Sequence, residues 1–301
     1  MSRVLGLILL LLQSASGFEY PLKPVRITDG VHCFFGAPAI MDTTNNGNIS
    51  NSCYVDGGDR YIVIDTGPSY AYAKSAYEAM QRVKAQPVGL VINTHVHDDH
   101  WLGNNFFTEK GIRVLGSDDF AKSVNLSEAN RMQSRISKKA YEGTVPVLPT
   151  ELIHADTDID IGNQAVQLRL IPSRAHTARD LYVYFPKLKT LFAGDLVFND
   201  RIPSLVGGDI NGWIKALGLI DAIHAEHVIG GHGERCDADA HRPTLAYMNE
   251  MHTRVKETVD EGTGIEQAMD KVTMDGFKHL KLYDAMQRLN VESAYRVIEW
   301  E

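Results

Sequence analysis

The chain has 301 residues, 44% of them apolar, enough to bury one large core or two small ones. Lys and Arg number 30 against 38 Asp and Glu, a net charge of −8, and no run of five or more basic residues occurs. That balance excludes recognition of a phosphate backbone, which rests on clustered Lys and Arg, so no nucleic-acid partner is expected.

The N-terminus reads apart from the rest. Arg3 is followed by an apolar stretch over 4–12, broken only by Gly6, and Ala15-Ser16-Gly17 places small residues at −3 and −1. This is the layout of a secretory signal peptide over 1–17, in front of a domain over 18–301. The apolar stretch is shorter than a helix needs to cross a bilayer core of roughly 30 Å. An uncleaved anchor is the alternative. The expectation is an exported protein, periplasmic if the source is a Gram-negative bacterium, with no stable membrane span after cleavage. Export permits disulfides. Cys33, Cys53 and Cys236 are the three cysteines. Cys33 and Cys53 fall in strand-like segments and either bridge or stay buried as free thiols. Their spacing matches no zinc ribbon or CxxC motif.

From residue 25 the pattern is rich in strands. Residues 25–35 alternate imperfectly. Segments 51–55 and 61–65 flank Asp56-Gly57-Gly58-Asp59, a hairpin signal. Asp65-Thr66-Gly67-Pro68 stops the second strand. Ala73, Ala76, Tyr77, Met80 and Val83 then repeat at helical spacing. A buried strand follows over 88–92 and another over 112–116, and 117–141 reads as exposed helix. Residues 151–161 and 164–171 predict a hairpin around Gly162-Asn163. Strands over 181–185 and 190–193 precede a helix over 210–223 and a short strand over 227–229. The last sixty-odd residues are mostly helical, with breaks near Gly262-Thr263-Gly264 and Asp275-Gly276. Strands then helix, given twice without a linker, predict an α+β fold: a four-layer αββα sandwich.

The chemistry sits at strand ends. His95-Val96-His97-Asp98-Asp99-His100 follows the 88–92 strand and puts three imidazoles and two carboxylates within six residues. Imidazole and carboxylate are ligands for zinc and similar divalent ions. His176, Asp195 and His232 each follow an apolar strand and are flanked by Gly, Ser or Thr. Taken singly, each reads as a surface or capping residue; beside the histidine loop, their shared context favours ligands. His154, His224, His227, His241 and His252 lack that context and read as nonligands. No GxSxG nucleophile motif is present.

The ordered set Asp65-Thr66-Gly67, His95-x-His97-x-Asp99-His100, His176, Asp195 and His232 resembles the metallo-β-lactamase superfamily over most of the mature chain. The resemblance implies the αββα sandwich with metals at the edge between its halves. It implies His95, His97 and His176 on one ion, Asp99, His100 and His232 on a second, and Asp195 bridging them. Asp65 would orient a ligand or its loop; a helix cap or turn residue is the alternative. The cofactor is then two divalent metal ions, zinc first, with Fe or Mn as alternatives. Water held between such ions deprotonates near neutral pH and becomes a nucleophile. Asp99 or water would protonate the leaving group.

Departures from subfamily patterns narrow the comparison. Some zinc β-lactamases carry Cys where Asp195 stands, whereas the glyoxalase II, arylsulfatase and lactonase branches resemble this chain there. His97 disfavours the flavodiiron branch, and the short span from Asp195 to His232 leaves no room for a nuclease module. Lys278 and Lys281 read better as solvated helix lysines than as glutathione contacts. The wording from Gly194 to Trp213 resembles exported metallohydrolases found with quinoprotein or sulfur-oxidation systems. Arg201 and Trp213 could line a cleft there, or belong to a structural loop before a helix capped at Asp209 or Asn211. The expected function is hydrolysis of a small-molecule substrate: an ester, thioester, lactone or amide. Alternatives are an iron persulfide dioxygenase-like enzyme, a noncatalytic metal-binding accessory and a β-lactamase.

Overall fold

The protein is described by a computed structural model covering residues 17–124 and 126–301, without the side chains of residues 126–130. The expected leader lies outside the described residues except for Gly17. Among the described residues no helix is long and apolar enough to cross a membrane.

Two sheets face each other. The first holds seven strands in sequence order: β1 (Val25–Thr28), β2 (Val31–Phe34), β3 (Ser52–Asp56), β4 (Tyr61–Ile64), β5 (Val88–Ile92), β6 (Val114–Ser117) and β7 (Glu151–Ile153). Hairpins join β1 to β4 antiparallel, and β4 to β7 run parallel. Parallel neighbours need crossovers, and helices supply them. The crossovers carry α1 (Tyr70–Val83), then α2 (Asp98–Trp101) and α3 (Asn104–Thr108), then α4 (Phe120–Ser123), α5 (Leu126–Arg135) and α6 (Lys138–Tyr141). The second sheet has the order β12-β11-β10-β9-β8. Its strands are β8 (Thr157–Ile161), β9 (Gln164–Leu170), β10 (Leu181–Phe185), β11 (Thr190–Phe198) and β12 (His227–His232). β11 and β12 are parallel, joined through α7 (Ile210–Asp221). The chain closes with α8 (Arg242–Asp260), α9 (Ile265–Lys271) and α10 (Tyr283–Ile298).

Burial follows these layers. Val31, Ile62, Leu90, Leu168, Val183 and Phe192 meet between the sheets. Tyr72, Met80, Trp101 and Phe107 fill the outer face of the first sheet, and Trp213, Leu217, Met248 and Val291 that of the second. The predicted αββα sandwich is the architecture found. Strand β8, Thr-Asp-Ile-Asp-Ile, alternates exposed Asp with half-buried Thr and Ile, as an edge strand with one wet face should.

Three predicted elements differ. Residues 25–35 are two strands turning at Gly30, whose φ of 77° suits glycine. Segment 151–161 is split: β7 ends the first sheet and β8 begins the second. Only 157–161 pairs with β9, because apolar periodicity cannot show which sheet a strand joins. The segment expected as exposed helix buries Phe120, Met132, Ile136 and Ala140 against the first sheet.

Cys33 and Cys53 face each other in the β2–β3 pair with Cα atoms 4.1 Å apart, and they form a disulfide. Cys236 is free. Replacing both bridged cysteines with Ala should lower unfolding free energy by about 2–4 kcal/mol, the usual effect of losing such a cross-link. Denaturant midpoints measure this, and an unchanged midpoint in protein isolated from an oxidising compartment would contradict it.

Candidate metal centre

Sheet geometry brings distant residues to one edge. Parallel β4 and β5 end on the same side, so Asp65 follows β4 and His95 follows β5 at neighbouring positions. His97 stands at the residue before α2 without its side chain bonding to the free N–H groups there, and that single turn carries Asp99 and His100. His176 follows β9, and His232 ends β12. Asp195 is not at a strand terminus as expected. It lies within β11, which continues to Phe198. Gly194 has φ 52°, and the β11–β12 register shifts beside it. Such a bulge re-aims a side chain without ending the strand.

All seven expected ligand residues converge in two groups. His95, His97, His176 and Asp195 form one; Asp99, His100 and His232 form the other. Within each, the potential donor atoms lie no more than 4.8 Å apart. Asp195 joins them. Its Oδ2 is 3.2 Å from His176 Nε2 and 3.2 Å from His232 Nε2, and its Oδ1 is 3.2 Å from His100 Nε2. His97 Nδ1 lies 2.9 Å from His176 Nε2, and Asp99 Oδ2 lies 3.5 Å from His100 Nε2. Donors about 2.0–2.1 Å from one tetrahedral ion stand about 3.3 Å from each other, so the spacing suits shared ions. His95 Nε2, His100 Nε2 and Asp195 Oδ1 are buried without a hydrogen bond. Polar atoms left in that state are costly, and a cation would satisfy all three. Gly231 makes room, since a Cβ there would stand 1.9 Å from Asp195 Oδ1.

The groups behind the imidazoles determine which nitrogen faces inward. Asp65 accepts bonds from Thr94 N, Thr94 Oγ1 and His100 Nδ1, each at 2.8 Å. Thr94 Oγ1, having donated its proton to Asp65, can accept from His95 Nδ1 at 3.1 Å. His232 Nδ1 donates to the Ile49 carbonyl at 2.7 Å. Three rings thus commit Nδ1–H outward and turn Nε2 toward the centre. Asp65 does not cap α1; Ser69 does, accepting from Tyr72 N. Of the two alternatives for Trp213, a cleft residue or part of the structural segment, the structure shows the second: it is fully buried. It packs on His176 with centroids 4.9 Å apart and donates to the Leu196 carbonyl. Asp209 caps α7.

Burial, with His176 nearby, pulls His97 down to about 3, and burial lowers His95 well below its ordinary value. Both present free lone pairs at neutral pH. Burial also opposes a charge on His100, but Asp195, Asp99 and Asp65 outweigh it and hold that ring well above its usual range. Burial opposes ionisation of Asp195 too, yet His232, His100 and His95 hold it well below the carboxylate range. The field that draws a proton to His100 would draw a metal cation.

A cleft of about 350 Å³ opens over the groups, lined by His97, Asp99, His176, His232, Arg131 and Arg201. His154, His224, His227, His241 and His252 belong to neither group. Lys278 pairs with Asp275, away from these residues. Sequence reasoning missed the braces. Asn51 Nδ2 donates to the carbonyls of Gly230 and Gly233, and Ser50 Oγ donates to the Asp99 carbonyl. Asp180 accepts from Thr177 N and Oγ1 beside His176. Single polar residues in turns carry no spacing signal that would reveal such partners.

Several known proteins are similar to this chain in sequence or fold. The family model described as the metallo-beta-lactamase superfamily matches residues 45–232. Metallo-beta-lactamase IND-1 from Chryseobacterium indologenes is 24% identical over 205 residues, covering 66% of this chain and 78% of that protein. A metallo-beta-lactamase from Pontibacter korlensis superposes with TM-score 0.60 at 24% identity, over 76% of this chain and 99% of that one. The FIM-1 enzyme from Pseudomonas aeruginosa, in a mono-zinc form, gives 0.59 at 20% identity, over 77% and 96%. With its matched segment spanning more than half the chain, this protein belongs to the metallo-beta-lactamase superfamily.

Proposed function

We propose that the protein is an exported metal-dependent hydrolase of a small ester, thioester, lactone or amide. In this reading it holds two divalent ions, zinc foremost. The observation that carries it is the convergence of seven ligand-type side chains beneath an open cleft, with buried donor atoms lacking partners. Bound divalent ions supply Lewis-acid polarisation and a water acidic enough to act as nucleophile near neutral pH.

The chain's own residues do the rest. His95, His97 and His176 hold one ion; Asp99, His100 and His232 hold the other. Asp195 would serve both, because its Oδ2 stands between His176 of one group and His232 of the other. Asp99 borders the cleft, and either it or a water would pass a proton to the leaving group. Asp65 and Thr94 orient His100 and His95. Phe198 stacks on His232, with centroids 4.8 Å apart and planes 11° apart, and with Trp213 it keeps water from the backs of the ligands. The relatives are named as β-lactamases. A strained cyclic amide therefore belongs on any substrate panel.

Metal analysis of protein purified without added metal, joined to a panel of esters, thioesters, lactones, β-lactams and sulfate esters, tests the reading. Two zinc ions per chain with turnover are expected. One iron with oxygen consumption would indicate an oxidative enzyme instead, and full occupancy without turnover a binding protein. Asp195→Ala and His97→Ala should each lose metal and reduce turnover by more than about 100-fold, beyond what supporting residues contribute. Normal turnover in either would overturn the ligand assignment. Asp65→Ala should keep the fold but weaken metal binding about 10- to 100-fold, read by competition with a chromogenic chelator. Metal at a hundredfold excess over its dissociation constant should add about 2.7 kcal/mol of stability, so a chelator should lower Tm. An unchanged Tm would speak against a site confined to the folded state.

A further inference from the structure

Arg201 is a buried cation that the metal centre does not use. It is 7% exposed. Among the described residues its side chain makes no hydrogen bond or ion pair, and its Nε is buried without a partner. Its Cζ lies 5.4 Å from the centroid of the Phe198 ring. Arginine is rarely buried unpaired, because its guanidinium gives up water for nothing in return. Asp99 and Asp195 are near enough to influence its charge, but both are committed to the candidate metal groups.

The position is built rather than accidental. Arg201 lines the metal cleft beside His97, Asp99, His176 and His232. It also lines a second cavity of about 280 Å³, walled by Phe198, Pro203, Tyr247, Phe277 and Leu280. Phe198 links the two, stacking on His232 while facing this cavity. The backbone around Arg201 is clamped by the C-terminal segment. Ile202 N donates to the Lys281 carbonyl and Lys281 N donates to the Asp200 carbonyl, each at 3.1 Å. From α10, Asn290 accepts from Leu205 N and donates to the Pro203 carbonyl. These clamps lie beyond residue 232, where the family match ends. A guanidinium held in place with donors free is preorganised for a carboxylate, which its fork matches.

We propose that Arg201 anchors the carboxylate of an amphipathic organic acid, whose apolar body enters the cavity of Phe198, Tyr247 and Phe277. This rests on the hydrolase reading for the fate of the ligand, not for its binding. The test is titration calorimetry of the metal-loaded chain with 3-phenylpropionate, its neutral amide and acetate. The acid should bind about 10- to 100-fold more tightly than the amide, the worth of a charge-assisted contact. Acetate, having charge but no apolar body, should bind more weakly than the acid. Arg201→Gln should erase the preference for acid over amide, and Arg201→Lys should restore part of it. Equal binding of acid and amide by the unmodified chain would overturn the proposal without any variant. So would a Gln variant that keeps the preference, since the metal would then hold the carboxylate. Equal binding of acetate and the acid would remove the apolar cavity from the proposal. A chain that binds the acid through Arg201 and hydrolyses nothing defeats only the hydrolase reading. A hydrolase indifferent to ligand charge defeats only this one.

Discussion

The Asp195 carboxylate stands where the two halves of the fold meet, and its charge has to be balanced there. It arises inside a fully buried strand of the second sheet and meets His95 and His100 from the first half and His176 and His232 from the second. A buried carboxylate is stable only when charge or hydrogen bonds replace its water. Four imidazoles surround it, yet one of its oxygens has no hydrogen bond. A cation held there would resolve that imbalance. The bulge at Gly194 and the missing side chain at Gly231 exist, in physical terms, to let this group reach the edge between the sheets.

Around that hub the support is layered. The Asp65–Thr94–His95 and Asp65–His100 contacts tie two candidate ligands to one buried carboxyl group. Asn51 bonds to the turn that carries His232, and Ser50 bonds to the segment that carries Asp99. One loop of the first half thus braces residues from both halves. Rigid placement of this kind is what keeps ligand atoms in position when a cation is removed or exchanged.

The C-terminal helices add a different layer. Tyr247, Gln287 and Asn290 form a buried hydrogen-bonded set between α8 and α10, and Asn290 extends it to the Pro203–Leu205 loop. The segment beyond the family match therefore shapes the cleft as well as packing the second sheet. It contributes Tyr247, Phe277 and Leu280 to the cavity beside Arg201. Variation in such a segment changes what a cleft accepts while leaving the metal groups untouched.

Much of this was legible in the chain. The HxHxDH cluster stands out because few local contexts need three imidazoles so close together. The two strand-then-helix halves were visible as changes in apolar period. His176, Asp195 and His232 were found by strand-end context, although Asp195 turned out to sit at a bulge that no periodicity marks. Pairing information was the missing part. Whether Cys33 meets Cys53, whether residues 151–153 join the first sheet or the second, and whether Trp213 lines or supports the site all depend on register and layer. Those are set by contacts between residues far apart in the chain. Local period and residue chemistry are enough to encode the fold class and the metal-type side chains. Which nitrogen faces inward, what braces each ring and that Arg201 is buried without a partner among the described residues follow from packing between groups far apart in the chain.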